Sequence, residues 1–337
     1  MDIQQLMDTA NSWPSRIILS AVELGVFSAL REPKSGDEVA AECETSPDAT
    51  RRLLNALAAM DILELNCGKY SIVPQLKEGL GDGPDSIIHS LHHRVVLWTV
   101  WNDLTNIIKT GKSYDEPVGS RPHTVERQHA FSRAMSVVGR GIAEITADAI
   151  DFSNVDRMLD IGGAPGVYAR EFLKVAPQMR VSILDRPGAQ DIVKEITGEY
   201  PEYERIDFIE GDALEVDDST VTADGEFDMV FMSNLIHSMS PGEIKDLFSR
   251  CCRWVKPRGR ILVKDFLLDD TRTKPARGAI FSLNMLVATP GGNSYTWTEV
   301  ENWFREIRTT GGDPAVSSTS RIEIGNGDNG IVAAFIN

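Results

Sequence analysis

Asp160, Asp185 and Asp212 each lie at or near the end of a short apolar run, and the second follows the first by 25 residues. Asp160 belongs to Arg157-Met-Leu-Asp-Ile-Gly-Gly-Ala-Pro-Gly166. Val155, Met158, Leu159 and Ile161 read as a buried strand, Gly162, Gly163 and Gly166 as a sharp turn, and Val167–Val175 as a helix. A strand running through glycines into a helix brings bare backbone and a helix N-terminus beside a ligand. Ile161 occupies the place where a dinucleotide fingerprint needs its first glycine, so a pyrophosphate is not the expected guest. A carboxylate one residue before the glycines suits a cationic ligand instead.

The runs that follow narrow the ligand. Val181–Leu184 is a second apolar strand, and Asp185 at its end is placed to accept hydrogen bonds from both hydroxyls of a ribose. Ile206–Ala213 is a third strand closing on Gly211-Asp212, where an acid can reach the exocyclic amine of an adenine. Phe227–Met232 is a fourth, and its exit, Ser233-Asn-Leu-Ile-His237, places a histidine at the carboxyl edge of the sheet, where ligands bind in such folds. S-adenosylmethionine (SAM) has an amino group, a sulfonium, a ribose and an adenine, and no phosphate. Methyl transfer from its sulfonium needs alignment, exclusion of water and, for a hydroxyl acceptor, removal of a proton. A general base adds roughly 10²–10⁴-fold when its pKa is near the working pH, which favours histidine.

The elements that must position these residues follow in chain order. Ser12–Leu30 reads as one amphipathic helix broken at Pro33–Gly36; Gly36–Ala41 is a second, and Ser46-Pro47-Asp48 opens a third carrying Leu53, Leu54, Leu57 and Met60. Ile62–Leu65, the turn Asn66–Lys69 and Tyr70–Val73 form a hairpin, which completes a winged-helix pattern. Ile87–Lys109 reads as helical, Thr110–Pro117 as a loop, and Thr124–Asp151 as a long helix bearing Arg127, His129, Arg133 and Met135. Later come the helix Pro241–Val255, the turn Lys256–Gly259, the strand Arg260–Phe266, the helix Pro275–Val287, the loop Thr289–Ser294, the helix Thr298–Arg308, and two closing strands around the turn Gly325–Gly330.

Taken together, residues 130–337 resemble a class I SAM-dependent methyltransferase domain: an α/β, Rossmann-like sheet with a terminal antiparallel hairpin. The whole chain resembles the two-domain small-molecule O-methyltransferases, the group that includes plant phenolic, acetylserotonin and bacterial polyketide enzymes. Leu159-Asp-Ile-Gly-Gly, Leu184-Asp-Arg-Pro187, Gly211-Asp212, His237, Val255-Lys-Pro-Arg-Gly259 and Thr289-Pro-Gly-Gly292 carry the likeness; Ala164-Pro165 departs from the family's glycine motif. The resemblance implies a helical, winged-helix-like dimerisation domain over 1–110, a linker and the start of a connecting helix over 111–129, and a SAM-binding domain over 130–337. It implies a cofactor site of Asp160, Gly162, Gly163, Gly166, Asp185, Arg186, Gly211, Asp212, Ala213 and Ser233, and a homodimer.

The resemblance also gives His237 the role of general base, with Asp265 orienting it, and suggests an acceptor pocket near His129, Arg133, Met135, Asn284 and Met285. The family's signature thins out here. The usual Asp-Trp after the histidine is Ser238-Met239, a second supporting acid is Ser294, and a lysine often found four residues before the histidine is Ser233. Such thinning suits a more acidic hydroxyl, or an acceptor with no proton to lose. O-methylation is therefore expected, with methylation of a small thiol or thioether, such as a methylthio hydroxy acid of dimethylsulfoniopropionate synthesis, as the alternative. His129 with Arg133, or His92–Arg94, would balance an anionic acceptor of that kind.

Composition limits the classes of partner. The chain has 337 residues, 42% of them hydrophobic and 25% charged, as in ordinary globular proteins. A net charge of −16 disfavours nucleic acid and an anionic membrane surface alike. No secretory signal opens the chain, no helix reads as a bilayer span, and Cys43, Cys67, Cys251 and Cys252 form no metal-binding Cys-x-x-Cys pair, so a cytoplasmic enzyme with reduced thiols and no metal is expected.

Overall fold

A computed structural model describes residues 1–81, 83, 86–113, 125–325 and 327–337. The loop expected over 110–117 lies outside the described residues from Tyr114 onward, as do Thr124, the Arg127 side chain and Asn326. The chain divides into two compact units, Met1–Thr99 and Val100–Asn337.

In the first unit, α1 (Ile3–Ala10) opens with a capping box between Asp2 and Gln5 and buries none of its residues. The single helix expected over 12–30 is two: α2 (Trp13–Glu23) and α3 (Val26–Ala29). Gly25 between them sits at φ 72°, a conformation that stops a helix and that glycine adopts without strain. Next come α4 (Gly36–Glu42) and α5 (Pro47–Ala59), then the antiparallel pair β1 (Leu63–Asn66) and β2 (Lys69–Ile72). Ala21, Phe27, Leu30, Val39, Leu54 and Leu57 meet in one apolar core, so helices that are amphipathic in sequence cover the hairpin's inner face. The helical stretch expected over 87–109 comprises α6 (Ile88–Trp101) and, in the second unit, α7 (Leu104–Thr110).

The second unit begins its sheet after α8 (Val125–Ala149). In order come β3 (Arg157–Ile161), α9 (Val167–Val175), β4 (Arg180–Asp185), α10 (Ala189–Thr197), β5 (Ile206–Glu210), α11 (Asp218–Val221) and β6 (Phe227–Ser233). They are followed by α12 (Pro241–Trp254), β7 (Val255–Asp265), α13 (Ala276–Ala288), α14 (Trp297–Glu306), β8 (Val316–Ile324) and β9 (Asn329–Ile336). The turn expected at Lys256–Gly259 is instead an irregularity inside β7, whose pairing with β6 slips between Phe227 and Met229.

The seven strands lie in the order β5-β4-β3-β6-β7-β9-β8. β3 to β7 are parallel, and β9 joins β7 antiparallel as the first strand of the closing hairpin. After β5 the chain returns to the other side of β3, so strand order reverses between β3 and β6. Loops leaving the carboxyl ends of these two neighbours diverge and open a crevice. The Gly162–Gly166 turn is on one side of it and Ser233–His237 on the other.

Helices cover both faces, which is why the central strands read as unbroken apolar runs. Met158, Met229, Phe231 and Leu262 pack toward α8 and α9, whereas Leu159, Val230, Met232 and Val263 pack toward α12 and α14. On the second face the rings of Phe248 and Phe304, both fully buried, stack 4.0 Å apart and 2° from parallel. Phe304→Ala should therefore cost about 3–5 kcal/mol, the usual range for a truncated buried aromatic, read as a fall in the urea midpoint of the unit holding the large sheet.

Candidate active site

The Gly-rich turn is built around Asp160. Its carboxyl is 1% exposed, and its Oδ2 has no hydrogen-bond partner among the described residues. Burial, then the like charge of Asp185, push its pKa well above the usual carboxylate range. Gly163 closes over it: a Cβ there would lie 2.5 Å from both Cγ and Oδ2 of Asp160. Any side chain at 163 would displace the acid, so this glycine is required for close approach. A buried acid without a partner is costly on its own and well suited to an incoming ammonium group.

Asp185 ties the end of β4 to the same turn. Its Oδ2 accepts the Ala164 backbone N–H at 3.0 Å, and its Oδ1 accepts that of Arg186 at 2.7 Å. Burial raises its pKa while those two bonds oppose the rise. Each oxygen keeps a second lone pair for ligand hydroxyls. One step further along the edge, the Gly211 N–H donates to Asp185 O at 2.9 Å, and Asp212 Oδ1 takes the Leu214 N–H at 2.9 Å, which fixes the turn that holds Ala213. Arg186 Nε stands 4.0 Å from Asp212 Oδ2. An unpartnered acid under a bare turn, a second acid with free lone pairs and a third beside it fit the amino, ribose and adenine parts of SAM in that order.

His237 stands across the crevice in a short 3₁₀ turn after β6. Its Nδ1 is 2.8 Å from Asp265 Oδ1, and its backbone N–H donates to Asp265 Oδ2 at 3.3 Å. Burial alone would raise the pKa of Asp265. The charge and hydrogen bond of His237 outweigh that and hold it below the usual range, so it stays ionised. The imidazole meets the ring of Phe281 edge-on at 4.8 Å, and Phe281 lies 4.4 Å from Phe266. From behind, the Thr289–Gly292 loop presses on the histidine: Asn293 N–H donates to His237 O at 2.9 Å, and a Cβ on Gly292 would collide with that same oxygen.

Other expected residues are engaged elsewhere. Arg133 forms two hydrogen bonds with Glu195, at 2.7 and 2.6 Å, and His129 Nε2 contacts Gly188 O at 3.1 Å. Both are thus bound to α10 and its cap rather than brought to His237. Met135 is half-buried on α8. Asn284 Oδ1 accepts the Trp101 indole N–H at 2.9 Å, and Met285 is buried next to it on α13. Ser294, in the place of a second acid, donates to Gly278 O at 3.0 Å, and Ser238 to Leu235 O at 2.7 Å.

Sequence reasoning passed over Lys264, Tyr168, Phe266 and Phe281. Lys264 is 1% exposed and donates to Asn234 Oδ1 at 3.1 Å and Asn329 Oδ1 at 2.9 Å; burial pushes its pKa down to about 8. A lysine directly after the buried run Ile261–Val263 was the available signal. Among the described residues no helix is long and apolar enough to cross a membrane, and no group of three or more His, Cys, Asp or Glu side chains could hold a metal ion.

Comparison with known proteins bears on this site. The family profile described as O-methyltransferase domain matches residues 101–307, and that of the O-methyltransferase dimerisation domain matches residues 7–73. The chain is 27% identical over 344 residues to the tetracenomycin polyketide synthesis 8-O-methyl transferase of Streptomyces glaucescens, covering 96% of each chain. It is 29% identical to the acetylserotonin O-methyltransferase of Macaca mulatta, covering 82% of this chain and 84% of that one. The structure of human N-acetylserotonin methyltransferase in complex with SAM superposes with a TM-score of 0.82 at 25% identity, over 100% of this chain and 99% of that one. With SAM-shaped chemistry at the switch point and a methyltransferase profile over most of the chain, this protein belongs to the O-methyltransferase family and is a SAM-dependent methyltransferase.

Proposed function

We propose that the enzyme methylates a hydroxyl on a planar aromatic small molecule, with His237 as general base and Asp265 as the residue that orients it. The 2.8 Å contact between His237 Nδ1 and Asp265 Oδ1 carries the reading. Beside an ionised carboxylate, Nδ1 carries the imidazole proton, and Nε2 keeps its lone pair. Among the described residues Nε2 has no hydrogen-bond partner, so it can take a proton from an acceptor hydroxyl, and the imidazolium that results is stabilised by Asp265. SAM, when bound in the crevice, would supply an electrophilic methyl group and a sulfur that can leave as a neutral thioether. Phe266 and Phe281 form an apolar wall beside the base, which favours a flat ring and excludes water.

The relatives support a ring hydroxyl: their names specify polyketide, acetylserotonin and hydroxynaphthoate acceptors. They favour oxygen over the sulfur alternative, as does a base that a neutral thioether would not need. The match over 7–73 supports a homodimer, and so does α1, where Ile3, Leu6 and Met7 are all exposed at helical spacing.

The test of the base uses adenosylhomocysteine release with a panel of phenols and hydroxynaphthoates. With the acceptor found, His237→Ala should lower kcat by about 100-fold or more and leave adenosylhomocysteine affinity nearly intact. Asp265→Asn should cost less. A near-wild-type kcat in His237→Ala would end the proposal. Gly292→Ala should likewise reduce kcat, by roughly tenfold or more, because the added methyl displaces the His237 carbonyl; cofactor affinity should not follow. Light scattering should report about 74 kDa, twice the 37.2 kDa chain, and a single-chain mass at micromolar concentration would refute the dimer.

A further inference from the structure

Along the carboxyl edge of the sheet His237 follows β6, Phe266 follows β7, and Asp328 stands just before β9. Those strands are neighbours in that order, so His237 and Asp328 flank Phe266. α13 runs beside this stretch. Its Phe281 meets the His237 ring at 4.8 Å and Phe266 at 4.4 Å. Arg277, one turn earlier on the same face of the helix, holds its guanidinium carbon 5.7 Å from the centre of the Phe266 ring and reaches toward Asp328. Arg277 therefore extends the apolar wall on its β9 side. The imidazole is 6.4 Å from Phe266, so at most about 12 Å separate it from the guanidinium.

The fold itself makes little use of this arginine. Among the described residues its ion partner is Asp328 Oδ2 at 3.8 Å, beyond hydrogen-bonding distance, and its side chain is 61% exposed. So loose and wet a pair contributes little stability. Helix stability does not account for it either. Arg277 stands in the first turn of α13, which has no side-chain cap and no acidic residue, and a cation there opposes the helix dipole. What the position does give is a planar fork of N–H donors packed against an aromatic ring, at the outer end of a wall whose inner end is the proposed base. Such a fork matches a carboxylate through two parallel hydrogen bonds.

We propose that Arg277 selects the acceptor, and that the aromatic substrate carries a carboxylate at the end of its ring system opposite the hydroxyl to be methylated. With that hydroxyl at His237 Nε2 and the rings against Phe281 and Phe266, a carboxylate across two fused rings reaches the guanidinium. The bound ring then covers Phe266 and shields the new ion pair from water, which strengthens it. A carboxylate next to the hydroxyl stays instead at the His237 end, where the ionised Asp265 repels it. Selection is thus made at the outer end of the wall and proton removal at the inner end. This rests on the ring-hydroxyl reading of the site and deepens it by naming the substrate class.

The test is calorimetry on enzyme saturated with adenosylhomocysteine, using 6-hydroxy-2-naphthoate, 3-hydroxy-2-naphthoate and 2-naphthol, with turnover of the same three followed separately in the presence of SAM. Wild type should bind the 6-hydroxy isomer roughly tenfold more tightly than 2-naphthol, and more tightly than the 3-hydroxy isomer. Arg277→Gln should erase that preference. Arg277→Lys should restore only part of it, because an ammonium group keeps the charge and loses the fork. Raised salt should shrink the preference as well. Equal weakening of naphthoate and naphthol in Arg277→Gln would make the residue structural and overturn the proposal. So would a preference that survives Arg277→Gln, or a wild type that does not favour the 6-hydroxy isomer. A preference lost in Arg277→Gln with none of the three methylated would support the carboxylate site and count against the ring-hydroxyl reading. Methylation of 2-naphthol with no preference for the carboxylate would do the reverse.

Discussion

Asp265 accepts from the His237 ring, from the His237 backbone and from the Phe266 backbone while only 2% of its surface meets solvent. A carboxylate so far from water is tolerable only when its oxygens are matched by donors, and the charge-assisted ones dominate. That requirement couples the end of β7 to the exit of β6. It fixes the imidazole's tautomer and direction, and through Phe266 it starts the apolar wall that includes Phe281. The sheet's role is to bring β6 and β7 into parallel register so that the acid and the histidine meet.

The same principle operates with opposite outcomes on the two faces of the edge. Toward α12, Asp265 finds its donors within the protein. Toward α9, one oxygen of Asp160 finds no donor among the described residues, whereas Lys264 is held by the amide oxygens of Asn234 and Asn329. Native structures keep such unpartnered groups few, and beside a crevice a ligand is the natural complement. Polarity at the His237–Asp265 pair is thus completed internally, and that of Asp160 is left open. Gly163 and Gly292 serve these two halves: one lets the backbone close over Asp160, the other lets a loop press against His237.

Much of this organisation was legible along the chain because it is local. An apolar run ending in an acid, followed by glycines and then helical spacing, is written in consecutive residues. The three strand-end acids and His237 could therefore be placed before any strand was paired. Helix boundaries were less legible where one residue decides them: Gly25 at φ 72° divides a pattern that continues smoothly in hydrophobicity. The roles of Arg133 and His129 could not be read at all, since their partners, Glu195 and Gly188, are about 60 residues away in sequence.

The sequence by itself determined the class of fold, the order of the strand-end acids and the identity of the one histidine at a strand exit, because periodicity and turn chemistry act between near neighbours. Only the tertiary structure decided that Lys264 faces Ser233 across a strand pair, that the Tyr168 ring reaches the same lysine from α9, and that Ser294 is spent on Gly278. Those facts depend on which strands pair and in what register, and a one-residue slip would send Lys264 to the opposite face. Register is set by the packing of the whole sheet between two helical layers, a sum over contacts distant in sequence that no local stretch contains.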